Sequence, residues 1–201
     1  PFSRSGHFMR YFYDKLNAEL RMPMNQIHFW TEENITTYSF ELSKLGGADV
    51  AYTALSQSTG IGAIDPDGFP AKSLEEFLSM TSRLVTPMPE MIAHDSLRGM
   101  FGCSGDIASV PPKAVTIGPK DLMDSKEWID VEYLVGCGGV PAHQKFPLQL
   151  AMFGPICPEN PGSIMRLHKG TCYVCPEVAT PEHTLPDFDL IPKLEEIRKK
   201  E

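Results

Sequence analysis

The chain has 201 residues, enough for one large domain or two small lobes around a buried core. Apolar residues make up 42% and charged residues 22%, the balance of a globular protein and not of a disordered one. Lys+Arg 18 against Asp+Glu 26 leaves a formal charge of -8, which lacks the basic field that nucleic acid or anionic lipid binding requires, and no apolar run approaches the roughly 18 residues of a membrane-spanning helix.

Taken in chain order, Phe8, Phe12, Leu16 and Leu20 recur every four residues and predict an amphipathic helix over 8–21. Residues 25–30 read as a short strand with Ile27 and Phe29 on one face. Thr31 then suits an N-cap, and a helix through Ile35, Tyr38, Leu42 and Leu45 is closed by Gly46-Gly47. Residues 48–55 form a mostly apolar strand, expected to be buried. A Gly/Pro/Asp-rich loop follows over 60–70. Ser73 with Glu76 three residues on is a capping box for a helix whose apolar face is Leu74, Phe77, Leu78 and Leu84. Residues 88–93 are expected as an edge strand, 99–119 as loop, and 118–123 as a short helix. Ile129, Val131, Tyr133 and Val135 alternate with Asp130, Glu132 and Leu134, the pattern of a half-buried strand. The turn Gly136–Pro141 leads to a short helix over 142–152, then an irregular stretch over 157–186 with five prolines, and a last helix carrying Leu190, Leu194 and Ile197. Alternating helices and strands predict an α/β protein with a largely parallel sheet, in which ligands sit at the C-terminal ends of strands.

Three constellations could carry chemistry. Helix starts after strands place Ser5 and His7, Thr31 and Asn34, and Thr53 and Ser56 where free N–H groups and hydroxyls can cradle an anion; plain capping is the better account of any one of them, and their recurrence at the same end of successive elements brings the ligand reading level with it. Cys137, in a glycine-rich turn after a strand, is a candidate nucleophile or an inert turn thiol. His168-x-x-x-Cys172-x-x-Cys175 offers part of a metal site but lacks a second CxxC, and a redox dithiol would need a strand-to-helix junction that a proline-rich tail does not suggest. The five cysteines, an odd number, do not form a disulfide scaffold. No P-loop, GxGxxG, HExxH or GxSxG is present, and no cofactor is expected.

The ordered anchors Ser5-Gly6-His7-Phe8, Thr31–Ile35, Leu45–Ala51, Arg83–Ser96, Tyr133–Pro141 and Tyr173–Pro186 resemble segments of the TAXI-type solute receptors of TRAP transporters. The resemblance implies a periplasmic-binding-protein-like fold of two small α/β lobes with a cleft between them. Lobe one would span 1–84, with 176–201 returning to it, and lobe two 85–175. It further implies binding of a small organic acid in that cleft by Ser5, His7, Thr31, Asn34, Thr53, Ser56 and Gly139. Transporter subunits or a second copy of the chain would be protein partners, and the location would be periplasmic. The chain departs from that family in length and in placing Glu32-Glu33 before Asn34. The alternative reading is an enzyme on the same cleft, using Cys137 or a metal held by Cys172, Cys175 and His168.

Overall fold

In a computed structural model the described residues are 13–56, 59–97, 104–132 and 145–179. Tyr13 opens a single wide helical turn over Asp14–Glu19. The rest of the helix expected over 8–21 lies outside the described residues. The strand expected over 25–30 is not formed. Pro23 starts a tight 3-10 turn at Met24–Gln26 instead. Phe29 then packs edge-on against Tyr13, with ring centroids 4.8 Å apart. Trp30 packs edge-on against Tyr38 at 5.6 Å.

Helix α1 spans Ile35–Lys44, with Asn34 at its N-cap position in place of the expected Thr31. The Thr31 hydroxyl accepts from the Asn34 N–H at 3.2 Å, and the Asn34 side-chain oxygen accepts from the Thr31 N–H at 2.8 Å. Gly46 and Gly47 end the helix with φ of 91° and 82°. That left-handed geometry costs a glycine nothing, and it lets the Gly47 N–H reach back to the Leu42 carbonyl at 3.0 Å.

Strand β1, Val50–Thr53, follows, and then α2, Leu74–Leu78, whose Ser73 side chain accepts from the Glu76 N–H. Leu84 belongs not to that helix but to β2, Arg83–Val85. The edge strand expected at 88–93 is helix α3, Pro89–Ser96. Proline at a first helical position loses no hydrogen bond and has the right φ, so Pro89 starts a helix instead of breaking a strand. A short strand inside the expected loop, β3, Ala114–Thr116, pairs antiparallel with β2. Helix α4, Pro119–Met123, matches expectation. Strand β4, Glu127–Glu132, then leads to α5, Lys145–Phe153, a 3-10 segment Pro161–Leu167, strand β5, Thr171–Val174, and α6, Pro176–Ala179. Strand β5 lies in the stretch read as irregular. The last helix expected from the sequence lies outside the described residues.

The main sheet has three parallel strands in the order β1-β4-β5. The expectation of an α/β fold with a parallel sheet therefore holds. β1 precedes and β4 follows the 84/85 boundary drawn from the sequence, and the two are hydrogen-bonded neighbours. Among the described residues no strand pairs with the other side of β1. Only its Ala51 is buried while Tyr52 is 73% exposed, so the buried strand expected there is half open. One core joins Ala51, Phe69, Phe77, Leu122, Trp128, Leu148, Ile164 and Val178. The loop over 60–70 is part of that core: Ile61, Ile64 and Phe69 are buried, and Asp65 ties the loop together by accepting from the N–H groups of Gly68 and Met88.

Candidate functional site

β4, the central strand, buries one of its faces fully and the other by half. Its buried residues are Trp128, Asp130 and Glu132, while Ile129 and Val131 are only half-buried. This is the opposite phase to the apolar alternation of the sequence. Asp130 is 2% exposed and Glu132 is 0% exposed. Two carboxyl groups thus stand in the interior at the C-terminal end of β4, flanked by the ends of β1 and β5, the position where open α/β sheets carry their chemistry.

Each neighbour supplies a donor. From β1, the Thr53 hydroxyl donates to Asp130 Oδ1 and accepts from the Trp128 indole N–H at 2.7 Å. From β5, the Cys172 thiol donates to Asp130 Oδ2 at 3.5 Å. Past the end of β1, the Leu55 N–H donates to Glu132 Oε1 at 2.5 Å. Glu132 Oε2 is buried, and no N–H, hydroxyl or thiol donor reaches it. Burial first, and then the hydrogen bond and charge of Asp130, raise Glu132 to about 8, against a lowering by the Leu55 N–H. A carboxyl with that value keeps its proton at neutral pH. Burial, with Asp130 and Glu132 beyond it, pushes the Cys172 thiol up to about 12, so it is a donor and not a nucleophile.

The loop leaving β1 is shaped around the same corner. The Ser56 N–H donates to the Gly60 carbonyl at 2.8 Å, and the Gly162 N–H donates to the Thr59 carbonyl at 2.7 Å. Thr59 holds φ at 61°, and its hydroxyl is buried without a partner. A β-branched residue in that conformation is strained by roughly 1–3 kcal/mol, and such strain gathers at functional corners.

The ligand residues expected from the sequence fall into three groups. Thr53 and Ser56 stand at this corner. Thr31 and Asn34 are spent on each other and on the Phe29 carbonyl, to which the Asn34 amide donates at 2.8 Å. Ser5, His7 and Gly139, like Cys137, lie outside the described residues. His168, Cys172 and Cys175 are not gathered on a metal: the His168 Nε2 lies 2.8 Å from the Ser125 carbonyl oxygen while Cys172 faces Asp130. Among the described residues no group of three His, Cys, Asp or Glu side chains is placed to hold one. Cys175 does sit between β5 and α6, the strand-to-helix junction that the sequence reading missed. Asp130, Glu132 and Cys172 as a cluster were also missed. The available signal was Trp128, a large apolar residue in phase with both carboxylates and out of phase with Ile129 and Val131.

A separate half-open cleft of about 260 Å³ lies between α1 and α4, and none of the expected ligand residues lines it. Its wall is structural: Asp121 Oδ2 accepts from the Ser39 hydroxyl at 2.5 Å and from the Ser82 N–H and hydroxyl at 2.9 and 2.6 Å.

No family model matches the chain. A glucosamine-6-phosphate deaminase of Lachnoclostridium phytofermentans is 24% identical over 173 residues, which are 83% of this chain and 65% of that protein. A glucosamine-6-phosphate deaminase of Clostridioides difficile is 28% identical over 160 residues, 80% of this chain and 56% of that protein. Among solved structures, a monomeric glucosamine-6-phosphate deaminase described as a missing link of the NagB superfamily superposes with a TM-score of 0.60 at 20% identity, covering 74% of this chain and 54% of its own. The chain thus spans less than two thirds of the length of the relatives it matches. These findings overturn the resemblance to TAXI-type TRAP-transporter receptors and, with it, the solute-receptor reading. The anchors behind that reading are local capping and turn signals. Gly46-Gly47 closes α1 and Thr31/Asn34 opens it, as in any α/β protein. What the comparison of structures does show is a mixed α/β fold with a parallel sheet, shared with a glucosamine-6-phosphate deaminase.

Proposed function

We propose that the protein is an enzyme acting on an amino-sugar phosphate, of the glucosamine-6-phosphate deaminase kind, on a doubly wound, Rossmann-type sheet. The observation that carries this is that two proteins bearing that name each match four fifths of the chain or more. The corner at the ends of β1, β4 and β5 supports it. It gathers two carboxyl groups, a hydroxyl and a thiol at the end of the sheet where open α/β folds carry their chemistry. The enzyme reading was the alternative drawn from the sequence, but its chemistry rests on carboxyl groups and not on Cys137 or a metal.

Ligand contacts are assigned first to Ser56 and the Thr53 end of β1. Ser5, His7, Thr31, Asn34 and Gly139 stay as further candidates, each tested by its alanine variant. The decisive experiment offers glucosamine 6-phosphate to the purified protein and measures released ammonia together with the shift in melting temperature. Ammonia above the uncatalysed rate and a raised melting temperature are expected. Neither effect at millimolar sugar phosphate would remove the proposal.

A further inference from the structure

We propose that Glu132 is a positioning residue: it is kept as a neutral acid that donates its one proton from Oε2 to Asp130, and this shared proton fixes Leu55, and hence Ser56, at the corner formed by β1, β4 and β5. The geometry leaves little else for it to do. Asp130 and Glu132 lie two apart on the same face of β4, both interior. From β1 and the loop beyond it they face the Thr53 hydroxyl and the Leu55 N–H; from β5 they face the Cys172 thiol. Among the described residues no lysine, arginine or histidine contributes to the charge balance of Glu132. Two ionised carboxylates cannot share so dry a site without cations. One proton answers both problems at once, because it removes a charge and gives Oε2 the partner it otherwise lacks.

Which residue keeps the proton follows from the donors. Asp130 already has both oxygens engaged by donors, Oδ1 by Thr53 and Oδ2 by Cys172. Glu132 receives only Leu55. The result is a chain of bonds from Leu55 through Glu132 and Asp130 to Thr53 and Cys172, which ties the start of the loop to all three strands. If the proton is lost, two like charges push apart, and Leu55 moves with Glu132.

The test compares the whole wild-type chain with Glu132→Gln, whose amide keeps an acceptor for Leu55 and a permanent donor for Asp130. A carboxyl raised in the folded state contributes stability that is fully present below its unfolded value near 4.5 and is lost as pH rises toward about 8. The melting temperature of wild type minus that of Glu132→Gln should therefore fall by at least about 3 °C between pH 5 and pH 8, and stay level above that. A difference that is constant over the window overturns the shared proton. The carboxyl ¹³C resonance of Glu132 in the folded wild type should titrate near pH 8; a midpoint among the ordinary glutamates overturns it as well. The effect on ligand rests on the function proposed above. With glucosamine 6-phosphate as probe, the ratio of wild-type to Glu132→Gln Kd, in which the titration of the sugar cancels, should rise about threefold or more from pH 7 to pH 9. An unchanged ratio refutes the positioning role. Absence of binding by both proteins counts against the proposed function, while the melting and NMR results still decide the proton.

Discussion

Thr53 shows how much one short side chain can settle. Its hydroxyl donates to Asp130 and accepts from Trp128, so a single oxygen serves an interior carboxylate and an interior indole. Thr53→Val keeps the shape and the β-branching that a strand favours but deletes both bonds. The Trp128 N–H is then left without an acceptor and Asp130 loses one of its two donors. An unsatisfied interior polar group costs about 1–3 kcal/mol, and the loss at Asp130 adds to it. Urea denaturation should therefore show Thr53→Val destabilised by roughly 2–3 kcal/mol, with Thr53→Ser within about 1 kcal/mol of wild type. A valine variant as stable as the serine one would mean that the hydroxyl bonds carry no net stability.

At the scale of elements, Asp121 does for helices what Asp130 does for strands. It sits in α4, is 5% exposed, and accepts from Ser39 in α1 and twice from Ser82 at the entry to β2. Ser82 in turn accepts from the Gly118 N–H at 3.1 Å, so the start of α4 is fastened to the same point. Gly118 is required there, since a Cβ would lie 2.2 Å from the Thr81 carbonyl carbon. Asp121→Ala strands the Ser39 and Ser82 hydroxyls, while the Ser82 N–H keeps the Ser39 oxygen at 3.0 Å; it is expected to cost about 2–4 kcal/mol, against about 1 kcal/mol for Ser39→Ala, which leaves Asp121 both Ser82 donors. Equal losses in the two variants, measured by urea denaturation, would disprove the shared anchor. Local signals made α1, α2 and α4 legible in the sequence, because caps and glycine stops act within a turn or two of chain. They could not show which neighbours cover a strand. Alternation put Ile129 and Val131 inward in β4, whereas the fully buried face is that of Trp128, Asp130 and Glu132 and the apolar face is only half-covered, so polarity assigns the two faces the wrong way round. Pro89 misled for a related reason. The same residue marks an edge strand or a helix start, and only the packing of α3 decides between them.

Over the whole molecule the question is whether stability is held in one unit or two. The two-lobe organisation drawn from the sequence places its boundaries at 84/85 and 175/176, so each lobe would unfold by itself. The contacts run across those boundaries. Val50 to Thr53 pair with Glu127 to Asp130 in parallel register, and Ile129 to Glu132 pair with Thr171 to Val174. Phe69 and Phe77 share a core with Leu122, Trp128 and Ile164, and Val178 closes that core from beyond the second boundary. Removing 85–175 would strip β1 of its partner strand and leave Ala51, Leu55 and Phe77 without the side chains that bury them. Exposing Leu55 and Phe77 alone costs about 3–6 kcal/mol, a large share of a total stability of roughly 5–15 kcal/mol. Calorimetry should accordingly give one transition with equal calorimetric and van't Hoff enthalpies, and under the function proposed above glucosamine 6-phosphate should move that transition as a whole. Two resolved transitions, with only the second moved by the sugar phosphate, would instead establish independent lobes and confine the ligand to one of them.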